Sequence, residues 1–323
     1  MRSALCALRS QEDALGKGIG YGKTILFGEM FAIFGIPVIA SALSITADAE
    51  VTPTSSGGWE IQDERREAKG YKAEKKAMQL ESLERIFRHL RFRPENLRIK
   101  LSGELPAMSG IGATGASSVA IVRALSEEFK LGMSEDEVNA GAYEAEIAYH
   151  GPTTSGVDNM VSTYGGIIHL TRGEPNVVRK MRFNRPVEVV IGDTGIIANT
   201  KTLLAALGER KKNAPDKYAR ILRDARKIAE EAAAILEKLD PQKIGALMNR
   251  NQGLLREAEV SCPELDLLVD TCRSAGALGA KLTGSGGGGC MLALTPGKDL
   301  QEKVASAIEA QGFQALRTKL GVY

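Results

Sequence analysis

Three charged residues, Lys23, Glu146 and Asp158, each admit a chemical and a structural reading. Lys23 opens the apolar run GKTILFGE; a lysine there either snorkels to the surface or holds an anion nearby. Glu146 falls eight residues after Val138 and shares the apolar face of one helix. A carboxylate in that position is either paired at the rim or held inward as a ligand. Asp158 lies in the glycine-flanked segment SGVDN and reads as an Asx-type turn residue, or as a base and anchor for a lysine. His150, beside Gly151, reads as a capping or core residue. The histidines (His89, His150, His169) form no close pair, and a His-based zinc site is not expected. No cysteine among Cys6, Cys262, Cys272 and Cys290 lies in a CxxC pair, so reduced thiols and a cytoplasmic setting are expected.

Two glycine-rich segments could receive an anion. The first runs from Pro106 to Leu131, PAMSGIGATGASSVAIVRALSEEFKL, a Gly/Ser/Thr loop that opens into a helix. A helix N-terminus offers unpaired N–H groups and a favourable dipole, and glycine lets the backbone come close to a phosphate. Ser109, Gly110, Gly112, Thr114, Gly115, Ser117 and Ser118 fit that description; the hydroxyls of Thr114, Ser117 and Ser118 could also reach a phosphate or a magnesium ion. The plain alternative is a flexible loop with small N-cap residues. No Gly-Lys-Ser/Thr occurs here, which excludes a Walker A loop, and a Rossmann fingerprint is also missing. The second segment, KLTGSGGGGC, holds Gly284, Gly286, Gly287, Gly288 and Gly289 between two stretches that look buried. A linker rarely sits there, so a loop pressed against an anionic ligand is expected.

The elements that must position these residues are legible in outline. A strand is expected from Lys23, then a turn at Gly35 and Pro37 and a second strand. Residues 70–92 carry a helical pattern with Ala77, Leu80, Leu83, Ile86, Phe87 and Leu90 on one face. Leu97 to Leu101 alternates like a strand, and Ser134 with Glu137 makes a capping box. VEVVIGDTGIIA reads as a strand and turn near a junction of two lobes, and a long helix follows Asp216. Short strands mixed with amphipathic helices, without regular βαβ alternation, indicate an α+β fold. The first twenty residues read as a loose extension. The apolar stretch Thr24 to Leu43 is interrupted by Gly28, Glu29, Gly35 and Pro37, so no membrane span is expected. A net charge of +2 and 5% aromatic residues leave no footprint for nucleic acid.

Taken together and in order, Lys-x-x-x-Phe-Gly-Glu, Pro-x3-SGIGAT-GASS and KLTGSGGGGC resemble the three motifs of the GHMP kinases, from about Lys23 to the C-terminus. Within that superfamily the chain looks most like the mevalonate kinases, on the evidence of FGIPVIASAL, EAEIAYHG, SGVDNMVSTYGGII, IGDTGIIANTK and LMNRNQGLL. The resemblance implies a ribosomal-S5-like N-terminal lobe over residues 21–185 and a ferredoxin-like C-terminal lobe over 186–323, after the extension 1–20. It implies ATP and Mg2+ as cofactors, mevalonate as a small-molecule acceptor, and a possible homodimer.

Carried over residue by residue, Asp158 matches the catalytic aspartate and Lys23 the lysine near it. Glu146 matches the magnesium-ligating glutamate, and Thr114 stands where the family has a magnesium-binding serine. The resemblance places the ATP phosphates against Pro106, Ser109, Gly110, Gly112, Ala113, Thr114, Gly115, Ala116 and Ser117, with Gly284, Gly286 and Gly287 closing the site. Glu29, Met30, His150 and Ser155 fall on the acceptor side. The chain departs from the family pattern at Met30, where His is usual, in HGPTTSG, one residue longer than the family's HGTPSG, and in GIGATGASS. Met30 bears on the acceptor and the longer segment on the position of Asp158. The alternatives are a GHMP kinase for phosphomevalonate or another small hydroxy acid, a non-catalytic ATP-binding sensor and, more distantly, a nucleotide-dependent oxidoreductase.

Overall fold

The chain enters its first strand, β1 (Gly16–Phe27), seven residues before the expected Lys23, so Gly16 to Gly20 belong to the sheet rather than to a loose extension. The computed structural model describes residues 15–152, 154–181, 185–236, 238 and 240–323; the first fourteen residues of the expected extension, with Cys6, lie outside them. A 3-10 turn, Met30–Phe34, ends at Gly35 in the left-handed region and leads to β2 (Val38–Pro53), which pairs antiparallel with β1. β3 (Trp59–Asp63), α1 (Tyr71–Leu90), β4 (Leu97–Ser102), α2 (Ala113–Glu128) and α3 (Glu135–His150) follow. The expected capping box is present at α3: the Glu137 N–H donates to Ser134 Oγ at 3.3 Å, and the Ser134 N–H donates to Glu137 Oε2 at 2.7 Å. Next come α4 (Val157–Tyr164), β5 (Ile167–Thr171) and β6 (Val177–Met181).

Strands β1 to β6 are paired around β2. The second half of the chain runs β7 (Val187–Asp193), α5 (Thr200–Asn213), α6 (Pro215–Leu236), α7 (Pro241–Glu257), α8 (Pro263–Ser274), β8 (Gly279–Leu282), β9 (Cys290–Leu294), α9 (Lys298–Ala310) and β10 (Gln314–Leu320). Its strands pair antiparallel in the order β10-β7-β9-β8 and join the first sheet at Leu320 opposite Leu43. The α+β expectation holds. Cys262, Cys272 and Cys290 are free thiols. Among the described residues no helix is long and apolar enough to cross a membrane.

What brings the first glycine segment to Lys23 is a stripe of glycine on β1. A Cβ on Gly16, Gly18 or Gly20 would strike the α2 backbone at Ala124, Ala120 or Ala116 in turn. Period two on the strand thus meets period four on the helix, and α2 lies directly on β1. One core, including Leu83, Phe87, Ile99, Val119 and Val138, fills the space between α1, α2, α3 and the first sheet. A larger one packs α6 to α9 on the second sheet and runs without a break into Leu26, Phe27, Ile39 and Leu43.

Candidate active site

At Lys23 the β1–β2 ladder breaks register, between Tyr21 and Lys23, which frees the Lys23 N–H from the sheet. It donates instead to the Ile111 carbonyl at 2.8 Å and ties the first glycine loop to the strand. A Cβ on Gly112 would lie 2.9 Å from the Lys23 Cβ, so only glycine allows this approach, and Gly112 caps α2 in the left-handed region. No side chain caps that helix end. The N–H groups of its first turn, Ala113 to Gly115, therefore remain for a ligand.

Asp158 is not in a turn, as expected from SGVDN, but is the second residue of α4. Gly115 makes this possible, because a Cβ there would be 3.1 Å from the Asp158 Cβ. Two helix N-termini, of α2 and α4, thus converge on one point. There Lys23, only 4% exposed, forms an ion pair with Asp158. Burial pushes the Asp158 carboxyl toward its protonated form, but the Lys23 ammonium, with His150, outweighs this and holds it below the usual aspartate value. The longer HGPTTSG segment therefore leaves Asp158 beside Lys23; Thr153 within it lies outside the described residues.

Glu146 is fully buried on α3, and neither of its carboxylate oxygens has a hydrogen-bond partner. His150 Nε2 is 3.4 Å from Glu146 Oε2 and 3.5 Å from Thr114 Oγ1. Ligand atoms of Glu146, His150 and Asp158 all lie within 4.8 Å of one another. Burial lowers the pKa of His150, but the Glu146 carboxylate 3.4 Å from its ring, with Asp158, raises it above the usual value. A buried carboxylate without a hydrogen bond, whose ligand atom lies within 4.8 Å of those of His150 and Asp158, suits a hard divalent cation.

Several other expected site residues are placed differently from one another. Ser117 borders the space at the α2 N-terminus with its Oγ donating to the Ala113 and Thr114 carbonyls at 2.9 and 3.0 Å, and Ser118 is buried. Pro106 and Ala116 are buried in the support of the loop. Gly284 and Gly289 face Gly110 and Ser109 of the first loop, whereas Gly286 packs under Val260 and Gly287 against Leu203. Ser155 precedes α4 and accepts the Val157 N–H at 3.4 Å. Met30 is buried in the 3-10 turn. Glu29, expected against the acceptor, has both oxygens engaged inside the protein: Oε1 by Lys281, and Oε2 by Asn251 Nδ2 at 2.9 Å.

Two further buried cations, Arg65 and Lys281, stand near these residues without a sequence expectation of their own. Arg65 is buried, bonded to Asp63, and donates to the Ala113 carbonyl at 3.4 Å. With Tyr71, Lys72, Thr114 and Tyr149 it lines a small cleft beside the α2 N-terminus. The charged run QDERRE hid Arg65 among solvated neighbours, but a lysine inside the apolar strand GAKL was a visible signal for Lys281.

Known families cover both halves of the chain. The model of the GHMP kinases N terminal domain matches residues 77–166, and that of the GHMP kinases C terminal matches 222–314. A mevalonate kinase of Pyrococcus abyssi is 33% identical over 92% of this chain and 93% of its own length. A crystal structure of L. major mevalonate kinase in complex with R-mevalonate superposes with a TM-score of 0.89 at 36% identity, covering 95% of this chain and 96% of that one. The Methanococcus jannaschii mevalonate kinase shares the fold, with a TM-score of 0.80 at 21% identity and coverage of 96% and 99%.

Proposed function

Since the chain belongs to the GHMP kinases, we propose that it transfers the γ-phosphoryl group of ATP to the 5-hydroxyl of mevalonate, giving 5-phosphomevalonate for isoprenoid precursor synthesis. The observation that carries the chemistry is the Lys23–Asp158 ion pair set against the uncapped N-terminus of α2. The acceptor rests on the similarity to mevalonate kinases over nearly the whole chain.

In this reading the acceptor oxygen attacks the γ-phosphorus, the bond from that phosphorus to the ADP oxygen breaks, and Asp158 takes the hydroxyl proton. Lys23 keeps Asp158 ionised and stabilises the forming alkoxide. The first-turn N–H groups of α2 hold the phosphate oxygens. Thr114 and Glu146 would hold Mg2+, which when bound supplies positive charge against the phosphate oxygens. Met30, His150 and Ser155 are left to face the acceptor. We assign the lobes to residues 16–185, from the start of β1, and 186–323, in keeping with the two sets of paired strands. A cytoplasmic location and a homodimer complete the reading.

The test is ADP release by the purified protein with Mg2+ and ATP, using mevalonate, phosphomevalonate and homoserine in parallel, with Asp158→Asn alongside. Turnover is expected with mevalonate and should fall by about 10²–10⁴-fold in the variant, the range of a positioned general base. Turnover with phosphomevalonate alone would move the acceptor to that compound, and ATP binding without turnover would make the protein a sensor.

A further inference from the structure

Lys281 and Glu29 form an ion pair with both side chains fully shielded from water, joining residues 252 apart in sequence. Taking two charges out of water costs several kcal/mol per ion, and an apolar pair of similar volume is often as stable or more so. Stability alone therefore does not account for the pair, and its connections indicate what does. The Lys281 ammonium donates to Glu29 Oε1, to the Leu282 carbonyl and, at 3.4 Å, to the Ile25 carbonyl, using all three of its protons. Asn251 on α7 holds the second Glu29 oxygen.

Around this centre lies a set of ties between β1 and the strand that leads into the second glycine loop. The Ile25 N–H donates to Thr283 Oγ1 at 2.9 Å, and Thr24 Oγ1 donates to the same oxygen at 3.0 Å. Thr24 and Ile25 directly follow Lys23; Thr283 directly precedes Gly284, which packs on Gly110 of the first loop. The free edge of β8 is held from α7, where Gln252 Oε1 accepts the Leu282 N–H at 2.9 Å and Asn249 Oδ1 the Ala280 N–H at 3.1 Å. The path from Asn251 through Glu29 and Lys281 thus fixes β1 at Lys23 against the start of the glycine loop.

We propose that Lys281, with Glu29 and Asn251, is a positioning group that sets the Lys23–Asp158 pair at its working distance from the glycine loop 284–289, without touching substrate. The charges give direction to this clasp, since the ammonium must point at the Ile25 and Leu282 carbonyls as well as at Glu29. An apolar pair would fill the space but take the ammonium donor from both carbonyls, leaving that of Ile25 with Thr283 Oγ1 at 3.3 Å. The proposal rests on the kinase reading, and its test has one arm that does not need turnover.

The variant to make is the neutral double Glu29→Gln/Lys281→Met, which leaves no lone charge buried. The expected result is a melting temperature within a few degrees of the parent, a KM for ATP within about two-fold and a kcat lowered by about ten-fold or more. An unchanged kcat in the folded double variant would overturn the proposal. If the double variant does not fold, Thr283→Val removes the adjacent tie with no change of charge. A fall in kcat of about three-fold or more at unchanged KM is expected there, and no fall would again overturn it.

Hydrogen exchange supplies the arm independent of activity. Protection should fall together in residues 23–27 and 283–290 of the variant, while a loss confined to 279–282 counts against the proposal. Should the parent protein show no turnover, the kinase reading fails by itself, and the exchange result still decides whether the clasp joins the two segments.

Discussion

Asp158 shows how one neighbour decides the state of a buried acid. Its surroundings alone favour the protonated form, and the Lys23 ammonium reverses this. A native pKa below the ordinary 3.8 means that the pair adds stability above that value and loses it as pH falls through the depressed native pKa. Replacing Lys23 by Met removes the largest favourable charge and leaves burial in command, so the Asp158 pKa should rise above its ordinary value. The sign of the linkage then inverts: the carboxyl favours folding in acid, and that contribution fades as pH rises through the new pKa. Lys23→Met should accordingly move the acid limb of the kcat profile to higher pH, lower kcat at pH 7 by about 10²-fold or more, and flatten the acid loss of stability. Rate profiles and thermal melts between pH 4 and 8 check both parts. An acid limb that stays in place would mean that Lys23 does not control the ionisation of Asp158.

At the scale of elements, the contact of α2 with β1 decides where the uncapped N-terminus of the helix sits. Gly18→Ala puts a methyl group into the backbone of Ala120, and neither helix nor strand can yield locally. A loss of about 1–3 kcal/mol is expected, together with a lower kcat/KM as the α2 N-terminus shifts from Lys23. Gly208→Ala is the fitting contrast, since it lies inside α5 with nothing within 4 Å of the added carbon. That change should raise stability by about 0.5–1 kcal/mol and leave the kinetics alone. Denaturant melts of the two variants give the comparison, and equal effects would remove the packing account. The same contact marks the limit of what the sequence could tell. The capping box at Ser134, the face shared by Val138 and Glu146 and the helix after Asp216 follow from spacings within a few residues, and all were legible. The glycine stripe was not, because Gly16, Gly18 and Gly20 acquire meaning only beside Ala124, Ala120 and Ala116, about a hundred residues on. Glu29 was assigned to the acceptor for a similar reason: its partners, Asn251 and Lys281, are separated from it by 222 and 252 residues.

For the molecule as a whole, the question is whether two sets of strands make two folding units. They are paired with each other only at Leu320 and Leu43 among the described residues, which by itself would allow the halves to come apart. The side chains argue otherwise. Leu26, Phe27, Ile39 and Leu43, all fully buried, belong to the same apolar cluster as Val189, Ile191, Met291 and Ile308 of the second half. Separating the halves would expose each of these, at about 1.5–3 kcal/mol for a large apolar side chain, and would also strand the Glu29–Lys281 charges. That sum is comparable to the entire stability of an ordinary domain, about 5–15 kcal/mol. The halves should therefore unfold together, giving one calorimetric transition whose calorimetric and van't Hoff enthalpies agree. Residues 1–185 expressed alone should lack a cooperative melt, because their share of the common core is left facing water. Two resolved transitions in the full chain, or a cooperative melt of the isolated half, would show that the cluster across the boundary contributes little and that the cleft between Lys23 and the glycine loop is held by the polar clasp alone.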